Sequence, residues 1–196
     1  MSLRFDTGPQ DGIAMVRSGL QRLANRKSPL NLNTTSFAAL SIGSQHAVYD
    51  LHADEIANGG GLETAHATGF RYLVTNAGAA VAAAEVHTDA TGNSSLLANL
   101  NYGPFVGASE RAFADLAALN PVRTGEYEAR LLRFAAIYVA AVWLKAAAGG
   151  ADIIYPLAPA PSVLSVGTPY TTEAFLAAIR PLAQQRVGKP DPTKVP

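Results

Sequence analysis

The sequence contains no cysteine, which excludes disulfides, thiolate metal sites and a cysteine nucleophile together. Charge is scarce as well. Only 15% of the 196 residues are charged, fifteen basic against fifteen acidic, so no net field draws the chain to nucleic acid or to an anionic membrane. Long apolar runs are also missing. The longest, Phe134 to Leu144, stops at Lys145 and is too short to span a bilayer. The opening residues MSLRFDTGPQDG hold no apolar signal-peptide core, so a soluble, cytoplasmic protein with no membrane partner is expected. HExxH, GxSxG, a P-loop and GxGxxG do not occur, which removes the commonest signatures of zinc proteases, serine hydrolases and nucleotide sites.

What is present is apolar and small. Hydrophobic residues make up 48% of the chain, much of it alanine. So few charges on a chain this apolar suggest surface covered by another subunit, and a homo-oligomer, most simply a homodimer, is expected. No repeat or linker divides the chain, so residues 1–186 read as one α+β domain and the polar, proline-rich 187–196 as a disordered tail.

Ile13, Val16, Leu20 and Leu23 recur at helical spacing and predict an amphipathic N-terminal helix closed by Ser28-Pro29. Its Arg17, Arg22, Arg26 and Lys27 read as a solvated face. Two strands are expected around Gly43-Ser44, the first from Ser36 to Gly43. FRYLVTN (Phe70 to Asn76) and AAVAAAEVHTD (Ala79 to Asp89) predict a hairpin turned at Ala77-Gly78, with Val74 opposite Val81 and Phe70 opposite Glu85. TDATGNSS and the residues to Asn101 read as turns and loop, Ser109 as a helix cap, and Thr124 as the cap of a long helix to Ala148, apolar all round. Asp152 to Leu157 reads as an edge strand, PLAPAP as a surface loop, and Thr172 as the start of a last helix containing Pro181.

The expected fold is therefore α+β: an N-terminal helix, an antiparallel sheet of four or more strands, and a helical C-terminal half. A helix followed by antiparallel hairpins is similar in element order to cystatin-like, curved-sheet folds.

The polar residues gather in HAVYDLHADE, His46 to Glu55. Strand alternation puts Ala47, Tyr49, Leu51 and Ala53 on a buried face and His46, Val48, Asp50, His52 and Asp54 on the opposite, wet one. His46 and His52 would lie about 20 Å apart on a straight strand and cannot share an ion. Asp50 with His52, and Glu85 with His87 on the later hairpin, repeat a carboxylate-x-histidine pattern that two adjacent strands could bring together. That set of Asp50, His52, Glu85 and His87 is the candidate cluster, suited to a divalent metal and hydrolase-like chemistry. The simpler expectation is a polar strand face with no cofactor, in a non-catalytic binding or assembly module whose small-molecule or protein partner the sequence does not name. NGGGLETAH (Asn58 to His66) has the glycines of a phosphate loop but not its Lys-Ser/Thr, and reads as a flexible loop. Six acids between His46 and Asp89 against Arg71 alone argue against nucleic acid on the sheet.

Overall fold

The run from Glu126 to Ala146, expected as the body of a long helix, is a pair of antiparallel strands at the middle of a sheet. Leu131 and Leu132 show why helix and strand look alike here: neighbours in sequence, they face opposite sides of the sheet and are each 1% exposed. A strand buried on both faces has no polar alternation, so its composition matches that of a buried helix. The alanines favour a helix by intrinsic propensity, and burial in the sheet overrides them. The turn between the strands is also silent in sequence. A 3-10 turn, Ala135–Ile137, leads into Tyr138 at φ 56, a left-handed position more often held by glycine or asparagine.

The computed structural model describes residues 2–25, 39–147 and 149–187. In chain order the elements are β1 (Ser2–Phe5), α1 (Gln10–Asn25), β2 (Leu40–Asp50), α2 (Ala53–Ala57), β3 (His66–Asn76), β4 (Ala79–Thr88), β5 (Ser94–Asn101), α3 (Pro104–Ala118) and α4 (Asn120–Thr124), then β6 (Glu126–Phe134), β7 (Val139–Ala146), β8 (Ile153–Pro156), β9 (Tyr170–Thr171) and α5 (Thr172–Arg186). The strands form one nine-stranded sheet in the order β5-β4-β3-β2-β6-β7-β8-β9. β1 and β2 share one edge of β6 and both run parallel to it, β1 along Glu126–Ala129 and β2 along Arg130–Arg133. The cystatin-like arrangement is thus overturned. The sheet is mixed, not antiparallel, and it takes in much of the half expected to be helical.

Helices cover both faces. Val16 and Leu20 of α1 pack on Tyr72, Val74, Ala82 and Ala84. On the same face, Phe175 and Ile179 of α5 and Ile56 of α2 pack on Leu132, Ala141 and Trp143. Ala112, Phe113 and Leu116 of α3 pack on Val48, Leu73, Ala83, Leu131 and Val142 of the opposite face. Tyr155 fastens α3 to β8 by donating to Asp115 Oδ2 at 2.7 Å. Arg180 of α5 donates to the carbonyls of Ile56 and Gly60, while Gly61 N–H is taken by Glu63 Oε1 at 2.7 Å. The glycine loop is thus hydrogen-bonded both within itself and to α5.

Several local expectations shift for identifiable reasons. The turn at Ala77-Gly78 is present, with φ 49 and 85, as a two-residue hairpin requires. A bulge between Val74 and Thr75 displaces the expected register, so Val74 opposes Ala82 and Phe70 opposes Val86. β2 is one strand with an irregularity between Ile42 and Gln45, not two strands about Gly43-Ser44. It ends at Asp50; His52 precedes α2, and Ala53 and Asp54 are helical. Ser109 lies inside α3, donating to the Phe105 carbonyl, and Thr124 ends α4. Ser94–Asn101 is a strand, not a loop. Pro181 sits within α5 without ending it. Arg26, Lys27, Ser28-Pro29, Ser36, Ala148 and the tail at 188–196 lie outside the described residues.

Ile137, expected in the long helix, is buried in the hairpin turn instead, at 6% exposure. Ile137→Ala is expected to lower the unfolding free energy by about 2–5 kcal/mol, as truncating a buried aliphatic side chain does. Chemical denaturation measures this, and a loss below about half a kcal/mol would mean the turn lies at the surface.

Candidate functional site

Residues paired across a strand ladder share a face. His46 pairs with Arg71, Arg71 with Glu85, and Asp50 with Arg133. All five therefore point to the α3 side of the sheet. The extra residue at Val81 of β4 is what sets Arg71, in place of Phe70, opposite Glu85.

Arg133 joins the two acids. Its Nε donates to Asp50 Oδ1 at 2.7 Å, its Nη2 to Asp50 Oδ2 at 2.8 Å, and its Nη1 to Glu85 Oε2 at 2.6 Å. Burial alone would lower the Arg133 pKa, but the bonds and field of Asp50 and Glu85 outweigh it and hold the guanidinium above its ordinary value. Arg71 is in the opposite condition. It is 3% exposed, and its Nε has no hydrogen-bond partner among the described residues. Burial pushes its pKa down; Glu85 opposes that through the field, and Arg133 adds repulsion. The side chain stays charged, because arginine is not deprotonated in proteins.

These groups floor one end of a cavity of about 1000 Å³. Arg71, Glu85, Arg133 and Leu131 supply the sheet side, and Asn99 and Asn101 come from β5. One wall is the start of α3 at Gly103, Phe105 and Val106; another is the β6–β7 turn with Tyr138, and the loop at Pro159–Pro161 completes it. The positive end of the α3 dipole thus lies at the cavity, with no side chain capping it.

Of the four expected site residues, the structure brings Asp50 and Glu85 together, with Arg133 between them. His52 leaves the strand and stacks edge-on against His66, ring centres 4.8 Å apart, and His66 Nε2 lies 2.9 Å from Glu55 Oε1. His87 is exposed on β4. Among the described residues no group of three or more His, Asp and Glu comes together as a metal site would. His46, expected on a wet face, is 1% exposed beneath Phe113 of α3, ring centres 5.2 Å apart. A second helical layer on that face is the reason. Sequence reasoning missed both arginines. The available signal was a lone cation inside an apolar strand run, Arg71 in FRYLV and Arg133 in LLRFAAI.

Comparison with known protein families, curated proteins and solved structures returned no match. Among the described residues no helix is long and apolar enough to cross a membrane.

His46 gives the site a pH dependence. Burial first, and then the Arg71 charge, push its pKa from 6.5 to about 3, and neither ring nitrogen has a hydrogen-bond partner among the described residues. Between those values the unfolded chain binds a proton that the folded chain refuses. Stability is therefore complete above pH 6.5 and falls on acidification toward pH 3, by up to about 1.4 kcal/mol per pH unit. His46→Leu is expected to flatten the slope between about pH 6.5 and 5, measured by denaturation at both values. Equal slopes in the two proteins would count against a neutral buried His46.

Proposed function

We propose that this protein is a non-catalytic binding module that holds a small, mainly apolar molecule in the cavity beside α3. The observation that carries the reading is the cavity itself. Its volume of about 1000 Å³ is at the upper end of the usual range for small-molecule sites. Its walls are mostly apolar, as at Phe105, Val106, Leu131 and Ile137, with the polar groups gathered at one end. That division matches ligand sites, where an apolar lining supplies affinity and a few polar groups fix orientation. The non-catalytic part rests on the lining residues. They include no histidine, serine, threonine or lysine, and Glu85 is engaged by Arg133, so no free general base stands beside a nucleophile.

The expected test uses 1-octanol, a neutral amphiphile, followed by thermal melting. A ligand that binds only the folded state raises the melting temperature saturably. Ala135→Phe, which adds bulk to a half-buried wall residue, is expected to abolish that rise while leaving the ligand-free melting temperature within a few degrees. Octanol without effect on the wild-type protein, or acting equally on the variant, sinks the cavity reading.

A homodimer belongs to the same reading and has one structural support. Among the described residues β5 is an eight-residue edge strand bonded only to β4, and it exposes Leu96 at 59%. An open edge with an apolar side chain is a template for pairing with a second copy. Light scattering at micromolar concentration is expected to give twice the mass of one chain. The mass of one chain at both low and moderate salt would rule the dimer out.

A further inference from the structure

We infer that the cavity is selective for a carboxylate-bearing molecule, whose carboxylate is bound by Arg71. This rests on the cavity reading above and adds the chemical class of the ligand. The argument is one of unmatched charge. At the polar end of the cavity stand two arginines and two acids, but they are not two pairs. Both acids are bonded to Arg133. Arg71 is left with the field of its cross-strand neighbour Glu85, repulsion from Arg133, and an Nε without a partner among the described residues. A buried cation in that state is costly unless something completes it. Arg71 is also a cavity-lining residue, so an anion entering the cavity meets the guanidinium. A planar guanidinium binds a two-oxygen carboxylate in a forked pair of hydrogen bonds, and the amide ends of Asn99 and Asn101 at the same end of the cavity offer further donors.

The same bookkeeping of charge selects among anions. The four ionised groups Asp50, Glu85, Arg71 and Arg133 sum to zero, so a monoanion leaves one net negative charge and a phosphate monoester nearly two. With Asp50 and Glu85 close by, the second charge is repelled more strongly than the first. A carboxylate is therefore favoured over a phosphate. Its apolar body would lie along Phe105, Val106 and Leu131, which a free inorganic anion could not use.

The test compares three probes of one chain length, octanoate, 1-octanol and octyl phosphate, by calorimetric titration of the wild-type chain and of Arg71→Met. The wild-type protein is expected to bind octanoate at least tenfold more tightly than either other probe, and Arg71→Met to erase that preference while still binding octanol. Octanol bound as tightly as octanoate would overturn the carboxylate assignment and leave the cavity reading standing. Octyl phosphate bound most tightly would overturn the choice of carboxylate. Failure of all three probes would overturn both readings. Because Arg71→Met removes a buried charge and could disturb folding, carbon-13 NMR of carboxyl-labelled octanoate on the wild-type protein supplies an independent measurement. Contact with a guanidinium holds a carboxylate ionised, so the bound carboxyl is expected to titrate at least one pH unit below the free acid. A bound carboxyl that titrates at or above the free value overturns the assignment.

Discussion

The guanidinium of Arg133 carries more of this structure than any other polar group. It sits on β6, yet its bonds run to Asp50 on the neighbouring β2 and to Glu85 on β4, beyond the intervening β2 and β3. One side chain therefore ties together the four strands on which the site is built. Two carboxylates facing one cavity would repel each other without it. With it, both have a bonded cationic partner. The arrangement also explains why Asp50 and Glu85 make a poor metal pair here: the position between them, where an ion would need to sit, is filled by a cation already.

The legible parts of the sequence are those in which local chemistry suffices. α1 shows its apolar stripe at Val16 and Leu20, α5 begins at Thr172 behind the cap Thr171, whose Oγ1 accepts from Ala174 N–H, and the Ala77-Gly78 turn needs only a short-range glycine signal. What stays hidden depends on partners far away in the chain. Nothing local distinguishes a strand buried on both faces from a buried helix, so β6 and β7 read as helix until the two layers above and below them are known. The bulge at Val81 is similar. It displaces the pairing by one residue, and that displacement alone brings Arg71 to Glu85.

The same contrast governs the site. Asp50 and Glu85 stand out in sequence because they alternate with apolar residues, and both belong to the cluster that forms. His52 and His87 were grouped with them by a repeated spacing, which holds only while the strand continues. β2 ends at Asp50, so His52 follows a different path. The arginines stay hidden because a single cation in an apolar run carries no motif. In a sheet covered on both faces, however, such a residue has nowhere to meet water, and its position must be explained by what it faces. Here Arg133 faces two acids and Arg71 faces a cavity.

The shared edge of β6 has a consequence for the order of events during folding. Ser2 is paired with Glu126 and Ala47 with Arg130, so the parallel ladders join residues far apart in the chain, while β6 and β7 meet across a four-residue turn. Closing long loops is entropically slow, and contacts of that separation form after local ones. On the ribosome, β1 and β2 emerge long before the strand they flank, and their edges stay open until β6 arrives. During that interval the apolar residues Leu3 and Phe5 of β1 have no ladder to hold them, and Val48 is held only along the β3 edge of β2. The early chain therefore depends on its own hairpins, above all β3 with β4, to avoid pairing with the wrong strand.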